Sequence, residues 1–316
     1  QLRAVDSAMN ESAPTDTMAM VTPGMLLENR TWTAAESPYI LYGDLRIRAG
    51  AVLIVEPGVE VRCAITDSMP DTNGATMTDI IVQGALQAVG TAEKRVIFTT
   101  AEGFPKINSW GGIKFLTTIE PQNSLKYATV VFASTGVRSE GSTPTIENSE
   151  IGPCSIGLDL GLSAALNIRF NIIRDCNIGL VSASSNVRNN LFVDNQVGAA
   201  LFGNDVFEHN TIDGFTGVEV PFGQPTIKNN IFSYVGTTKA LYGIHQTQTT
   251  ATCSISFNDI NNFTFPTDGL TTATGPGNIS VDPLFVDGNG GNYQLQGASP
   301  CLTAGDGGVQ MGRFGP

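Results

Sequence analysis

The sequence is poor in charge, in histidine and in long apolar runs. Only 15% of its residues are charged, and 17 Lys and Arg face 29 Asp and Glu, a formal net charge of −12. Ordinary globular chains carry roughly 25% charged residues, so long amphipathic surface helices are not expected. A phosphate backbone is gripped by clustered cations, and the acidic balance argues against any nucleic-acid partner. No apolar run reaches the ~20 residues of a spanning helix, so no transmembrane segment is expected. The opening from Gln1 to Ala4 has neither the basic nor the apolar part of a secretory leader. Two histidines, and five cysteines without a Cys-x-x-Cys pair, leave little material for a zinc centre.

What the chain does have is glycine, 35 of 316 residues, and repetition. Residues 1–22 are polar and without apolar period, and read as a tail or linker. From about Trp32 onward, short alternating runs such as Leu45 to Ile47, Leu53 to Val55 and Val59 to Val61 are broken by Gly and Pro, the pattern of strands. Six-residue units with apolar ends then recur: Leu125–Val130, Ile146–Ile151, Ile168–Ile173, Val187–Phe192, Phe207–Ile212, Ile227–Phe232 and Ile255–Ile260. Their ends, at 130, 151, 173, 192, 212, 232 and 260, are 21, 22, 19, 20, 20 and 28 residues apart. A period near 20 is too short for a helical solenoid or a propeller blade, and the Leu-x-x-Leu-x-Leu framework of a leucine-rich repeat is absent. The remaining architecture is an all-β, single-stranded, right-handed parallel β-helix, a solenoid in which each coil buries its apolar side only against its neighbours. It is expected over 23–281, with 282–316 as a closing segment. The fourth place of the units holds Asn171, Asn190, Asn210, Asn230 and Asn258, which would stack as an internal row about 4.8 Å apart and satisfy buried turn groups.

These residues carry a resemblance. The Asn-bearing units resemble the repeats of pectate-lyase-like right-handed parallel β-helix proteins. The runs Tyr39 to Leu45, Ala49 to Val61, Gly84 to Thr91, Val96 to Thr100 and Trp110 to Ile113 are similar to the first coils of secreted bacterial β-helix proteins. The runs Asp282 to Asp287, Tyr293 to Leu295, Ala304 to Asp306 and Met311 to Gly315 resemble the end of the same group. The resemblance covers nearly the whole chain after the tail and implies an extracytoplasmic location, secreted or in the cell envelope. It does not fix the activity, because the superfamily holds lyases, hydrolases, epimerases and adhesins. The adjacent Asp pair and the Gly-His-Gly of polygalacturonase-type hydrolases are missing here, as is the Trp-Ile-Asp-His run of one pectate lyase family.

Asp175, Asp194 and Asp213 follow their unit ends by two, two and one residues, and so are expected to stack on one face, with Arg174 beside them. Such a row either binds a hard cation, calcium being the candidate, or is a solvated set of turn aspartates. In the β-helix lyases calcium neutralises a uronate carboxylate and an Arg or Lys takes the adjacent proton, so Arg174 is the one candidate base. Lys126, Glu147, Arg169, Arg188, Glu208 and Lys228, at the second places, read as charge pairing on a wet face. His209 reads as packed, and His245 as lying in the long insertion between Phe232 and Ile260. Trp32 and Trp110 either close off the first coils or, if exposed, offer sugar platforms. Cys154 and Cys176 fall three residues after their unit ends and would be stacked in adjacent coils, within disulfide reach, although parallel side chains strain the S–S torsion. Cys253 with Cys301 is a weaker pair, leaving Cys63 over.

The leading expectation is a monomeric surface β-helix protein that binds carbohydrate or another surface partner, with no cofactor required. A calcium-dependent polysaccharide lyase, or a related carbohydrate-active enzyme, is the alternative. A structural spacer of an envelope protein is the second.

Overall fold

The computed structural model describes residues 19–21, 24–66, 76–117, 123–161 and 166–316. They form a parallel β-helix. Ten short strands, from Arg30–Trp32 through Asn186–Arg188 to Ser254–Ser256, make one parallel sheet, and a larger parallel sheet takes the remaining strands of the coils. Each coil contributes one short strand to the first sheet, turns through a first corner, and runs along the larger sheet around a second corner.

The stacking follows from apolar residues in fixed register. Leu125, Ile146, Ile168, Val187, Phe207, Ile227 and Ile255 pair successively in the small sheet. Val130, Ile151, Ile173, Phe192, Ile212, Phe232 and Ile260 do the same in the larger one. A third column runs Val137, Leu158, Leu180, Ala199, Val218 and Ile244. All are buried in one continuous core. At roughly 1.5–3 kcal/mol for each fully buried aliphatic or Phe side chain, these columns hold the coils together.

The first corner is made the same way in coil after coil. Its leading residue is left-handed, with φ 52° at Asn148, 61° at Phe170, 57° at Asn189, 53° at His209, 57° at Asn229 and 54° at Phe257. Asn tolerates that conformation; Phe and His do so at a cost. The next residue offsets it. The Oδ1 of Asn190 accepts from the backbone N and from Nδ2 of Asn171 at 3.0 and 3.2 Å, and Asn210, Asn230, Asn258 and Asn278 repeat this at 2.8–3.2 Å. The Nδ2 groups also donate to strand carbonyls, as Asn190 does to Ile168 at 2.8 Å.

One boundary moves. Ala19–Val21 pairs with Tyr39–Leu41, so the first coil reaches into the segment read as tail, whose residues 1–18 and 22 lie outside the described ones. The closing segment does not simply cap an end. Its 3₁₀ turns and last residues run back along the first corners: Asp306 N donates to Asn229 Oδ1, Arg313 N to Thr211 Oγ1, and Asn189 Nδ2 to the carbonyls of Arg313 and Gly315. Met311 and Cys301 pack with Ile231 in a second small core. Its hairpin, Phe285–Asp287 against Asn292–Leu295, lies instead at the second corner. Among the described residues no helix is long and apolar enough to cross a membrane.

Candidate functional site

The second corner is irregular. Strand Leu191–Leu201 runs straight through it, and its register against Thr211–Val220 passes from Val193 opposite Asp213 to Asn195 opposite Gly214. Asp194 therefore has no counterpart in the following coil. Asp175 and Asp194 both take left-handed φ values, 56° and 54°, and line one open cavity of about 520 Å3 with Asn177, Gln196, Phe215 and Tyr234. Asp213 does not join that face. It is 6% exposed and accepts hydrogen bonds from Tyr293 Oη at 2.7 Å and Val235 N at 3.2 Å. The expected three-aspartate row is thus reduced to two, because the omitted residue puts Asp213 in register with Val193 and Arg174, where Tyr293 of the closing hairpin covers it. Among the described residues no group of three or more His, Cys, Asp or Glu is placed to hold a metal ion.

A second cavity of about 230 Å3 adjoins the first, bordered by Asp194, Asp213, Tyr234 and, from the closing hairpin, Gly288, Asn289 and Tyr293. A third, of about 490 Å3, continues past Tyr234 to Asn261, Asn262, Asp282 and Gln296. Together they make a polar groove crossing several coils, with Tyr234 at the centre of all three. Phe215, 48% exposed, stands at one end.

Burial favours the neutral form of the groove carboxyls of Asp194 and Asp213. Burial, then the neighbouring Asp175, pushes the Asp194 carboxyl above its ordinary value. Burial also raises Asp213, against the hydrogen bonds from Tyr293 and Val235. Arg174 is committed: its Nε donates to Glu150 at 2.6 Å and its Nη1 to Asp175 at 2.7 Å. Burial would lower its pKa, but these two carboxylates outweigh it and hold the guanidinium charged. A guanidinium so held is a poor proton acceptor.

The other candidates resolve as structure. Glu147 bridges Lys126 and Arg169 at 3.1 and 2.6 Å, Arg188 pairs with Glu208 at 3.0 Å, and Lys228 reaches Asp306 at 2.5 Å. His209 is buried, 3.2 Å from Asn229 Nδ2, and burial lowers its pKa. Trp32 and Trp110 are buried, the first stacked on Tyr39 at 4.7 Å, so neither offers a platform. His245 is not in a loop but on strand Ala240–Gln246. All five cysteines are free and buried. The neighbouring Cys176 thiol and burial push the Cys154 pKa up, but no disulfide joins them, and the two thiols donate instead to the carbonyls of Val130 and Arg174. Cys253 faces Gln246 in the main core while Cys301 donates to Asp259 in the small one, so that pair is kept apart.

Phe215, Tyr234 and the hairpin were not legible as site residues. Phe215 follows the omitted residue, in the register position of Gln196, and an alignment of coils that allowed a one-residue gap would have exposed it.

Residues 24–140 match the family model of the pectate-lyase like beta helix domain. That match, over a little more than a third of the chain, ties it to carbohydrate-related β-helix proteins. Among curated proteins, "Protein bark beetle" of Drosophila melanogaster is 34% identical over 74 residues, which is 23% of this chain and 2% of that protein. The chain therefore corresponds to a small fraction of the length of that relative.

Proposed function

We propose that this chain is an extracytoplasmic, surface-acting β-helix protein that binds a glycan in the groove along its second corner. The observation that carries the reading is the run of amides, carboxylates and half-exposed rings past Asp175, Asn177, Asp194, Gln196, Phe215 and Tyr234. Amides and carboxylates accept and donate to sugar hydroxyls, while aromatic rings cover the apolar face of a pyranose. Asp194, Gln196 and Phe215 are held on strands of the larger sheet, which limits the ordering that binding requires. The family match supports a carbohydrate ligand, and a binding role accords with the engagement of Arg174. The test is a glycan array followed by calorimetry, with and without calcium. Binding that Tyr234→Ala weakens about ten-fold or more, equivalent to ~1.4 kcal/mol, supports the groove. Binding unaffected by Tyr234→Ala and Phe215→Ala, or no glycan retained at all, overturns it.

A further inference from the structure

Next to that groove, on the outer face of the larger sheet, three consecutive coils bring together residues of a different chemistry. Strands Thr211–Val220, Ala240–Gln246 and Phe263–Asp268 are in parallel register, with Thr216 beside Tyr242 beside Phe265, and Glu219 beside His245 beside Asp268. Val218 and Ile244, between these positions, are buried, which sets the two columns on the outside. The rings of Tyr242 and Phe265 stack with centroids 5.4 Å apart and planes at 26°. His245 lies against the other side, 4.2 Å from Tyr242 at 17°. Its Nε2 is 3.3 Å from Asp268 Oδ2, and the Asp268 side chain remains 40% exposed. Phe265 is 43% exposed.

We infer that this face binds a sugar carrying a protonated amine. The three strands contain Glu219, Asp268 and Asp213, which the closing hairpin covers, but no Lys or Arg, and the exposed Lys239 stands ahead of its strand. The exposed Phe265 ring presents the negative quadrupole of its open face to a ligand, and the flanking carboxylates add full charge, so both attract an ammonium group. The outer ring of the stack, Phe265, offers an apolar surface to a flat saccharide face. A uronate is repelled by the same carboxylates and by a chain of net charge −12. A bare metal ion lacks the oxygen cluster it needs among the described residues. A polyamine would satisfy the carboxylates while leaving the aromatic surface unused.

The site is separate from the groove, and the experiment keeps them separate. Calorimetry at low salt would compare a glucosamine tetramer, its N-acetylated form, a galacturonate tetramer and spermine. The inference expects the glucosamine tetramer to bind about ten-fold tighter than the acetylated form. It also expects Phe265→Ala, Asp268→Asn and Glu219→Gln each to weaken that binding, with Asp194→Asn in the groove leaving it unchanged. Thermal unfolding of each exposed-face variant confirms that it is folded. Equal binding of the acetylated tetramer, tighter binding of galacturonate, spermine binding as well as the sugar, or no binding of the amine sugar overturns the inference. Loss of binding in Asp194→Asn but not in Phe265→Ala overturns it while leaving the groove reading intact.

Discussion

The two corners of each coil solve the same problem differently. At the first, a left-handed residue is followed by an asparagine whose amide closes the turn onto the next coil, and the closing segment covers several such corners. At the second, Asn195 does similar work once, accepting from Cys176 N at 3.0 Å and donating to Ile173 O at 2.9 Å, but the neighbouring coil omits a residue and the carboxylates of Asp175 and Asp194 face a groove. Where the asparagine amides close each turn onto the next coil the geometry repeats. Where one residue is dropped, polar groups are left facing outward and become available to a ligand.

The sharpest way to break this comparison is at the asparagines. Asn190→Leu removes an acceptor for two N–H donors and a donor to two carbonyls and to Asn210, so a loss of about 3 kcal/mol or more is expected in urea unfolding. Asn195→Leu, at the irregular corner, should cost about 1–2 kcal/mol, since fewer partners are abandoned. Equal costs would mean that the two corners do not differ in this way.

Buried acids sharpen it next. Asp259, beside Asn258 at a covered first corner, is fully buried, with Val281 N and Cys301 Sγ as its donors. Burial pushes its pKa up to about 7. An unfolded Asp titrates near ~3.9, so between about pH 4 and pH 7 the folded chain holds the extra proton and stability falls as pH rises. Asp259→Asn keeps the neutral shape and should flatten that fall, raising Tm by a few degrees at pH 8. Asp194→Asn, at the open corner, should change the profile far less, and differential scanning calorimetry between pH 4 and 8 reads both.

Function should separate in the opposite sense. Tyr234→Phe is expected to leave Tm within about a degree while lowering glycan affinity a few-fold, whereas His209→Gln under the closing segment should change Tm and leave affinity alone. The smallest effect concerns the thiols. Native protein treated with an alkylating reagent should show almost no labelling, because all five are buried, while unfolding without reductant should label five by mass spectrometry.

The coil period, the apolar columns and the asparagine positions were legible because they are nearest-neighbour properties. A residue whose equivalent lies about 20 places on must meet the same neighbours, so spacing alone brings Ile173 against Phe192 and Asn190 against Asn210. Asp175 and Asp194 could be placed on one face by the same counting. Asp213 could not, because the one-residue omission that pairs it with Val193 is visible only in the hydrogen-bond register, and Tyr293, which covers it, comes from the distant closing hairpin. Counting along the chain is enough to specify the stack: which residues point in and what repeats. Only the tertiary structure decided which corner is open, how the closing hairpin supplies Gly288 and Tyr293 to a groove anchored near Asp194, and that Tyr242, His245 and Phe265 share an outer face. Those contacts join segments separated by variable loops and a returning tail, and loop length carries no information about where such segments land.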